Sequence, residues 1–498
     1  MASMTSFFKA HFPENKAKFK LYWKYSIPVI FASLLFSLNN FIDNFMVTHI
    51  NGGIAALGIA NTWTGFIFSA FLGVAYMSVT IFGQYYGKKD FANVKNVLKL
   101  RFIFNYIIVI PISIWVLISP DWFIRVFYRT NLQNGEEIIQ KGISYIRPLT
   151  LSWLLLATTF ISGNTLREAG FGKYQMYSSV ATLIVNIVFN AIFMYGLKMD
   201  VDGAAYATIL ARLSALISNF IIIQKTNKYL HIPLFSLFTN NMHVVKLFLR
   251  RFAAGFLVGG GIVLVTMRQV FWNIGYPQGT IGKPEYEIAA YSILGLTGSI
   301  TGIFLGLFNV VETNVSIFVS RELGQGNLEK ARANANELKG FHFTLTWISS
   351  FILVFLLIAI PYLNFFAKGV YDKVLENHGQ AQAIEARDIF LKQLQLTMLP
   401  VLLFNPIWVW FVTSIRVLGS GKRSNFSGLL NFSGNFIQII WLIVLVYIII
   451  PKTNLELWQA YVIFFMSDIT KVIFVETFYY KMHWAHDITK VEQKSTNP

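Results

Sequence analysis

Residues 167–173 read Arg-Glu-Ala-Gly-Phe-Gly-Lys, and residues 416–422 read Arg-Val-Leu-Gly-Ser-Gly-Lys, 249 positions later. In both places an asparagine follows thirteen residues after the lysine, first Asn186 and then Asn435. Each asparagine lies inside a long apolar run. A repeat of this kind changes the fold prediction before any local pattern does, because it indicates two copies of one structural unit.

A second repeated pair lies upstream of the first in each half of the chain. Residues 84–90 read Gln-Tyr-Tyr-Gly-Lys-Lys-Asp, and residues 321–327 read Arg-Glu-Leu-Gly-Gln-Gly-Asn, at an offset of 237. The sequence therefore predicts two halves built on one plan, and the shared glycines align one half with the other.

The composition indicates a membrane protein. Of the 498 residues, 55% are hydrophobic and only 13% are charged, whereas a soluble protein carries about 25% charged residues. The apolar residues form runs of about 20, the length at which a helix crosses a hydrocarbon layer roughly 30 Å thick. The predicted fold is an all-α polytopic membrane protein with twelve transmembrane helices. The runs lie at residues 22–48, 55–83, 97–119, 146–166, 174–197, 203–224, 251–272, 288–319, 341–364, 391–415, 425–450 and 456–480.

Six runs in each half give both halves the same orientation in the membrane, as in transporters built from parallel repeats. The interval between the two repeated strings is twelve residues longer in the second half, and we assign these residues to an outer loop around residues 368–388. The predicted divisions are an N-terminal tail (1–21), an N-lobe (22–224), a connector (225–250), a C-lobe (251–480) and a C-terminal tail (481–498).

The formal net charge of +17 is explained by where the charges lie. Of the 41 Lys and Arg residues, 27 lie in the tails and in the alternate loops that would share one side of the membrane, and 11 lie in the opposite loops. The positive-inside rule then predicts that both termini are cytoplasmic, in a multi-pass protein of the plasma membrane. Anionic lipid headgroups account for the basic surface, so we expect the lipid bilayer as a partner and no nucleic acid.

Two patterns that could indicate cofactor chemistry are weak. Gly172 and Lys173 look like the end of a phosphate-binding loop, but Arg167 occupies the position of its first glycine and no Ser or Thr follows the lysine. His483 and His486 are spaced as a solvated pair near the end of the last run. No nucleophile with a matching base is evident, so we predict no enzyme activity, no cofactor and no bound structural metal.

Ionisable residues inside membrane spans are costly, on the order of 2.5–3.5 kcal/mol each, so each one needs a reason. Asp43 is the clearest case. Counted inward from the outer end of its run at 1.5 Å per residue, it lies roughly 8 Å deep, and residues of the fifth and sixth runs reach a similar depth. The predicted cation-coupling layer consists of Asp43, Asn39, Asn40, Asn186, Asn190 and Thr208.

A carboxylate among amide and hydroxyl oxygens can hold a proton or a sodium ion. Asn186 is open to two interpretations, a cation-site residue or a helix-packing residue, because Asn435 repeats it in a lobe where no carboxylate layer is expected. Asp43 has no acidic counterpart in the seventh run, where Arg268 lies at the comparable depth. An acid present in one lobe only is better explained by function than by architecture.

Other residues inside the runs have candidate roles. Pro28 bends or weakens the first helix and is a candidate hinge. The remaining charges could line a cavity or form ion pairs, and pairing is the simpler explanation. They are Glu312, Arg212, Arg268, Asp468 and Lys471.

These features together resemble the MATE (multidrug and toxic compound extrusion) transporters of the MOP flippase superfamily. The resemblance rests on the two six-helix lobes, on Pro28 and Asp43 in the first run, on Gln84 and Gly87 at the end of the second, and on the repeated Arg-x-x-Gly-x-Gly-Lys string. It covers roughly residues 20–480. It implies a V-shaped fold with a central cavity between the lobes, and export by proton or sodium antiport.

The residues are most similar to those of the DNA-damage-inducible branch of that family. Asp43, Asn186, Asn190 and Thr208 fall where that branch keeps a cation site in its first lobe. The branch usually has a second aspartate where this chain has Asn190, and the second-lobe carboxylates of other branches are missing from the seventh and tenth runs. Asp43 is then the coupling carboxylate, and we expect a proton in preference to sodium as the coupling ion.

Two functions are open at this point. The first is an antiporter that exports amphipathic organic cations or drugs by alternating access, and 16% aromatic residues with 12 Met suit an adaptable apolar cavity. The alternative is a flippase for a lipid-linked or anionic substrate, which Arg212, Arg268 and Lys471 inside the runs would favour. The direction in which those three side chains point separates the two. A channel or scaffold fits the repeat less well, and we expect a monomer.

Overall fold

The computed structural model describes residues 10–47, 50, 53–126, 135–233 and 236–490, and within them the chain is helical, with no β-strand. The N-lobe helices are α1 (Lys16–Met46), α2 (Gly53–Gly87), α3 (Phe91–Ile118), α4 (Pro120–Arg125), α5 (Gly135–Glu168), α6 (Gly172–Asn190) and α7 (Val201–Thr226). The connector carries α8 (Met242–Leu249).

The C-lobe follows the same plan. Its helices are α9 (Phe252–Gly275), α10 (Ala290–Leu305), α11 (Leu307–Asn314), α12 (Arg321–Gly324), α13 (Leu328–Ala359), α14 (Lys368–His378), α15 (Gln380–Thr397), α16 (Leu399–Gly419), α17 (Ser424–Val444), α18 (Leu457–Met466) and α19 (Asp468–Lys481). A π-helical turn, Val315–Ser320, joins α11 to α12, and similar turns extend α6 and α17. The all-helical membrane fold predicted from the sequence is confirmed.

The number of spans differs from the prediction. In the described part of the chain, eleven helices are long and apolar enough to cross a membrane, where the sequence predicted twelve. The run at residues 456–480 instead forms two helices, α18 and α19, of 10 and 14 residues. The Ser467 hydroxyl donates to the Phe464 carbonyl at 2.7 Å, and such local hydrogen bonds compete with the regular helix. The twelfth span is therefore a broken helix.

Two segments that were predicted to lie outside the membrane spans contain helix. Helix α1 begins at Lys16, inside the predicted tail of residues 1–21. The outer loop expected around residues 368–388 is helical, because α14 and the first part of α15 cover it with only Gly379 between them. Gly379 has a positive φ of 89°, a backbone conformation that favours glycine.

The two lobes are separate at one end of the bundle and joined at the other. One buried apolar cluster contains only N-lobe residues between Val47 and Ala205, and another contains only C-lobe residues between Trp272 and Val475. At the opposite end the clusters are mixed: Tyr22 and Val29 of α1 pack within the C-lobe, and Ile488 packs against the N-lobe. This is the V-shaped arrangement that the sequence led us to expect.

The joined end contains both pairs of repeated strings, and we call it the basic end. A Cβ atom on Gly87 would clash with the backbone of Arg321, and one on Gly324 would clash with the backbone of Gln84. The two copies of the second repeated string therefore cross each other in direct backbone contact. Only glycine permits so close an approach at both positions, which explains why the sequence repeats it.

Side chains then tie the lobes together around this crossing. The Gln84 amide donates to the carbonyl oxygens of Ser420 at 3.1 Å and His486 at 3.2 Å, and it accepts from the Ile488 backbone N–H at 2.9 Å. Lys88 forms an ion pair with Asp487 at 3.0 Å. The segment after α19 is thus wedged between the lobes and closes the basic end.

Replacing Gln84 with alanine removes three of these interlobe hydrogen bonds and is expected to open the basic end more often. Because the chain has no cysteine, a single Gly302→Cys substitution in the cavity wall, where a Cβ meets no atom within 4 Å, reports access. In membrane vesicles that expose the basic end to the medium, a membrane-impermeant thiol reagent should label this cysteine several-fold faster in the Gln84→Ala background.

The matched control is Gln382→Ala, which removes an exposed glutamine from α15 at the opposite end. Its labelling rate should equal that of the cysteine variant alone. Equal rates for Gln84→Ala and Gln382→Ala would contradict a closing role for Gln84.

Candidate functional site

A cavity of about 830 Å³ lies between the two lobes and is lined by helices of both. Its volume is within the range of sites that hold small organic molecules, roughly 300–1,000 Å³. The residues of the predicted coupling layer for which a side chain is described line the cavity or lie directly behind its wall. The side chain of Asn40 lies outside the described residues.

Asp43 lies near the end of α1 and is 7% exposed. Its Oδ1 atom accepts hydrogen bonds from the side-chain amides of Asn186 at 3.0 Å and Asn190 at 2.7 Å. These two asparagines are one turn apart on α6 and are fully buried. The Asn190 amide also donates to the Asn186 side-chain oxygen at 3.1 Å, so α6 presents a rigid pair of N–H donors to one carboxylate oxygen.

The other carboxylate oxygen faces α7. The Thr208 hydroxyl lies 3.4 Å from Asp43 Oδ2 and donates to the Ala204 carbonyl at 2.9 Å. A hydroxyl has one hydrogen and two lone pairs. Because the shorter bond is to Ala204, a lone pair of Thr208 remains to accept a hydrogen from Oδ2 when Asp43 is protonated. The two oxygens of Asp43 therefore differ in chemistry.

Two buried amide oxygens near this layer have no hydrogen-bond partner, those of Asn39 and Asn190. Asn39 lies on the cavity wall one turn before Asp43. Arg212 of α7 also lines the cavity, interacts electrostatically with Asp43, and has a buried Nη1 atom without a hydrogen-bond partner. The structure thus brings Asp43, Asn186, Asn190 and Thr208 together at one point, with Arg212 as the nearby positive charge.

Helix α1 passes through Pro28 without interruption. It also joins the lobes, since the Ser33 hydroxyl accepts from Asn309 of α11 at 3.0 Å and the Ser26 hydroxyl accepts from Asn314 at 2.9 Å. Movement of the outer half of α1 would therefore change its hydrogen bonds to both lobes. The hinge role of Pro28 remains a prediction.

The expectation that the C-lobe has no buried carboxylate at the level of Asn435 is wrong. Asp468, at the start of α19, is 2% exposed. Its Oδ2 atom accepts from the Trp408 indole N–H at 2.7 Å, and its Oδ1 atom accepts from Gln438 at 2.6 Å. Lys471 lies 2.9 Å from the same Oδ1 atom. From the sequence, Asp468 was a charge inside a run that could line a cavity or form an ion pair, and it was not placed in this layer.

Arg268 of α9 completes the C-lobe cluster. Its Nη2 atom donates to the side-chain oxygens of Asn435 at 2.9 Å and Gln438 at 2.5 Å. Its guanidinium group stacks over the Phe464 ring, 5.3 Å from the centroid. Asn435, the repeat of Asn186, therefore holds a cation in the C-lobe where Asn186 holds an anion in the N-lobe.

Arg212, Arg268 and Lys471 all line the cavity, as do Glu312 and Asp468. Of these, Asp468 and Lys471 are also paired with each other, and Glu312 lies 3.8 Å from Arg416. These charged side chains therefore line the cavity and also form ion pairs, two roles that were predicted as alternatives.

Sequence reasoning missed several cavity residues. Arg167 and Arg416, the first residues of the repeated string, line the cavity near the basic end, a position that the repeat did not indicate. Gln438 lies three residues after Asn435, on the same helix face, and that spacing could have identified it. Nothing in the sequence pattern marks Trp408.

Comparison with known proteins supports this description. Residues 28–192 match the MatE family model. Among relatives, a probable multidrug resistance protein of Bacillus subtilis is 20% identical over 205 residues, 40% of this chain and 43% of the relative. DNA damage-inducible protein F of Escherichia coli is 24% identical over 215 residues, 42% of this chain and 45% of the relative. The aligned regions thus span less than half the length of these relatives.

The fold match extends over almost the whole chain. An outward-facing multidrug resistance MATE family transporter of the MOP superfamily has a TM-score of 0.72 at 19% identity, covering 95% of this chain and 97% of that one. A MOP superfamily transporter from Pyrococcus furiosus, described as having a binding pocket of reverse polarity, has a TM-score of 0.72 at 18% identity, covering 93% and 97%. The MatE match covers part of the N-lobe, and over almost its whole length the chain has the fold of these multi-pass membrane transporters.

Proposed function

We propose that the chain is a secondary active transporter that exports amphipathic organic molecules by alternating access and couples export to protons at Asp43. The observation that carries the proposal is the environment of Asp43, whose carboxylate is buried, held by three side chains of α6 and α7, and placed on a helix that also contacts the C-lobe. The basic end would face the cytoplasm, following the distribution of Lys and Arg.

A proton fits the Asp43 site better than a sodium ion. Sodium requires several oxygen ligands, but the groups directed at Oδ1 are the two N–H donors of Asn186 and Asn190. A proton needs only Oδ2 and one acceptor, which Thr208 supplies. The sodium alternative would require both amides to turn over and break the bond between them.

Coupling follows from the strength of the hydrogen bonds. Bonds from an amide to an ionised carboxylate are roughly twice as strong as bonds between neutral groups. Protonation of Asp43 therefore weakens the ties between α1 and the helices α6 and α7. Helix α1 is least supported at Pro28, which lacks a backbone N–H, so its outer half can move and reshape the cavity wall. Proton binding and substrate binding then favour different conformations, which is antiport.

The charge of the cavity bears on the substrate. From the sequence we expected amphipathic organic cations, with an anionic or lipid-linked substrate as the alternative. Among the described residues that line the cavity, five are cationic and three are carboxylates. This surplus supports the anionic alternative. The lining carboxylates are Asp43, Glu312 and Asp468, and the cations are Arg167, Arg212, Arg268, Arg416 and Lys471.

We expect Asp43→Asn to abolish export driven by an imposed pH gradient while the purified protein remains folded, since asparagine has nearly the same shape but cannot exchange a proton. The measurement is efflux of fluorescent amphipathic probes from proteoliposomes under a proton gradient, a sodium gradient, or neither. Wild-type efflux should respond to the proton gradient only. Efflux that is insensitive to both gradients in the wild type, or unchanged in Asp43→Asn, would contradict the proposal.

Thr208 offers a matched pair of variants. Thr208→Val keeps the shape of the side chain but removes the acceptor for a proton on Oδ2, and it should reduce proton-driven efflux by about tenfold, the equivalent of one neutral hydrogen bond. Thr208→Ser keeps the hydroxyl and should retain most of the activity. Equal activity in the two variants would show that the hydroxyl has no part in proton exchange.

A further inference from the structure

We infer that the C-lobe wall of the cavity contains an anion subsite, centred on Arg268 and Lys471, that binds the acidic group of an amphipathic organic substrate. The inference rests on the proposed transport function, because it names the substrate class that the central cavity would take.

The C-lobe cluster contains more cationic than anionic side chains. Two cations, Arg268 and Lys471, share a single carboxylate, Asp468. That carboxylate already accepts three hydrogen bonds or ion-pair contacts, from Trp408, Gln438 and Lys471. It has little capacity left for Arg268. Two cations therefore share one carboxylate, which leaves one positive charge in excess in the cavity wall.

The guanidinium group of Arg268 is held in place and keeps an unpaired donor. Asn435 and Gln438 hold its Nη2 atom, while its Nε atom is buried and has no hydrogen-bond partner. A buried, unpaired donor on a charged group is costly unless something binds it. A planar guanidinium group fixed in this way is suited to a carboxylate or phosphate, whose oxygens match its fork of donors.

The surroundings indicate the rest of the substrate. Aromatic side chains next to the cluster line the same cavity, and they would cover an apolar body attached to the acidic group. These are Trp272, Trp408, Tyr461, Phe464 and Phe465. The subsite lies in the C-lobe and Asp43 lies in the N-lobe, so the proton and the acidic group do not compete for the same atoms. Their coupling would pass through α1.

The cluster also explains why Gln438 takes its position. Its oxygen accepts from Arg268 and its nitrogen donates to Asp468, so it separates the cation from the carboxylate instead of letting them pair. A structural ion pair would not need this spacer. A cation that must remain available to a ligand does.

The test uses two probes with the same apolar body, pyrenebutanoate and pyrenebutyl-trimethylammonium, and the full-length protein in nanodiscs of neutral phosphatidylcholine. Binding is followed by energy transfer from tryptophan to pyrene, with empty nanodiscs as the blank. The wild type should bind the anionic probe more tightly than the cationic probe. Arg268→Gln should weaken binding of the anion by about ten- to a hundredfold, the value of a hydrogen bond to a charged group, without weakening binding of the cation.

Two further variants keep the test sharp if Arg268→Gln is poorly folded. Asp468→Asn removes the competing carboxylate and should strengthen anion binding, a change in the opposite direction that loss of folding cannot produce. Lys330→Gln removes an exposed lysine that pairs with Glu322 outside the cavity, and the affinity for both probes should stay unchanged.

A wild-type preference for the cationic probe, an equal loss of both probes in Arg268→Gln, or weaker anion binding in Asp468→Asn would overturn the inference. Because binding is measured without a gradient, its outcome is distinct from that of the transport proposal. Anion binding with passive flux would refute only the proton coupling. Proton-coupled flux without anion binding would refute only the subsite.

Discussion

The burial of the Asp43 carboxylate is the constraint on which the arrangement of the N-lobe depends. An ionised group taken out of water costs several kcal/mol unless it is surrounded by hydrogen-bond donors. The Asn186 and Asn190 amides of α6 fill that role, and the Thr208 hydroxyl of α7 lies beside the other carboxylate oxygen. Three helices therefore meet at this carboxylate. Through Ser33, α1 carries this constraint to the C-lobe. The Asp43 carboxylate therefore lies where a change in its charge can alter the contact between the lobes.

The two lobes share a backbone plan but differ in charge. Gly87 lies against the backbone of Arg321, and Gly324 lies against the backbone of Gln84. These two close contacts hold the lobes together at the closed end of the V. By contrast, Asn186 donates to an aspartate while Asn435 accepts from an arginine. An asparagine suits both because its amide has a donor end and an acceptor end. The same repeated residue thus supports a buried carboxylate in one lobe and a cationic surface in the other.

The fold was largely predictable from the sequence because it depends on hydrophobic length and on a repeat, and both can be counted directly. The proximity of Asp43, Asn186, Asn190 and Thr208 could also be foreseen from their depth along regular helices. The position of Asp468 beside Gln438 was not predicted, and no periodicity in the sequence indicates the break at Ser467 that precedes it. Interactions between distant segments, such as the indole of Trp408 on Asp468, depend on how helices pack and were out of reach.

The account stands on the claim that Asp43 gains and loses a proton, and infrared difference spectroscopy of the protein in lipid tests it most directly. Acidification should produce the carbonyl band of a protonated carboxylic acid, and this band should be absent in Asp43→Asn. Adding pyrenebutanoate should diminish it, because proton and substrate favour different conformations. A band that persists in Asp43→Asn, or one that the substrate leaves unchanged, would contradict the account.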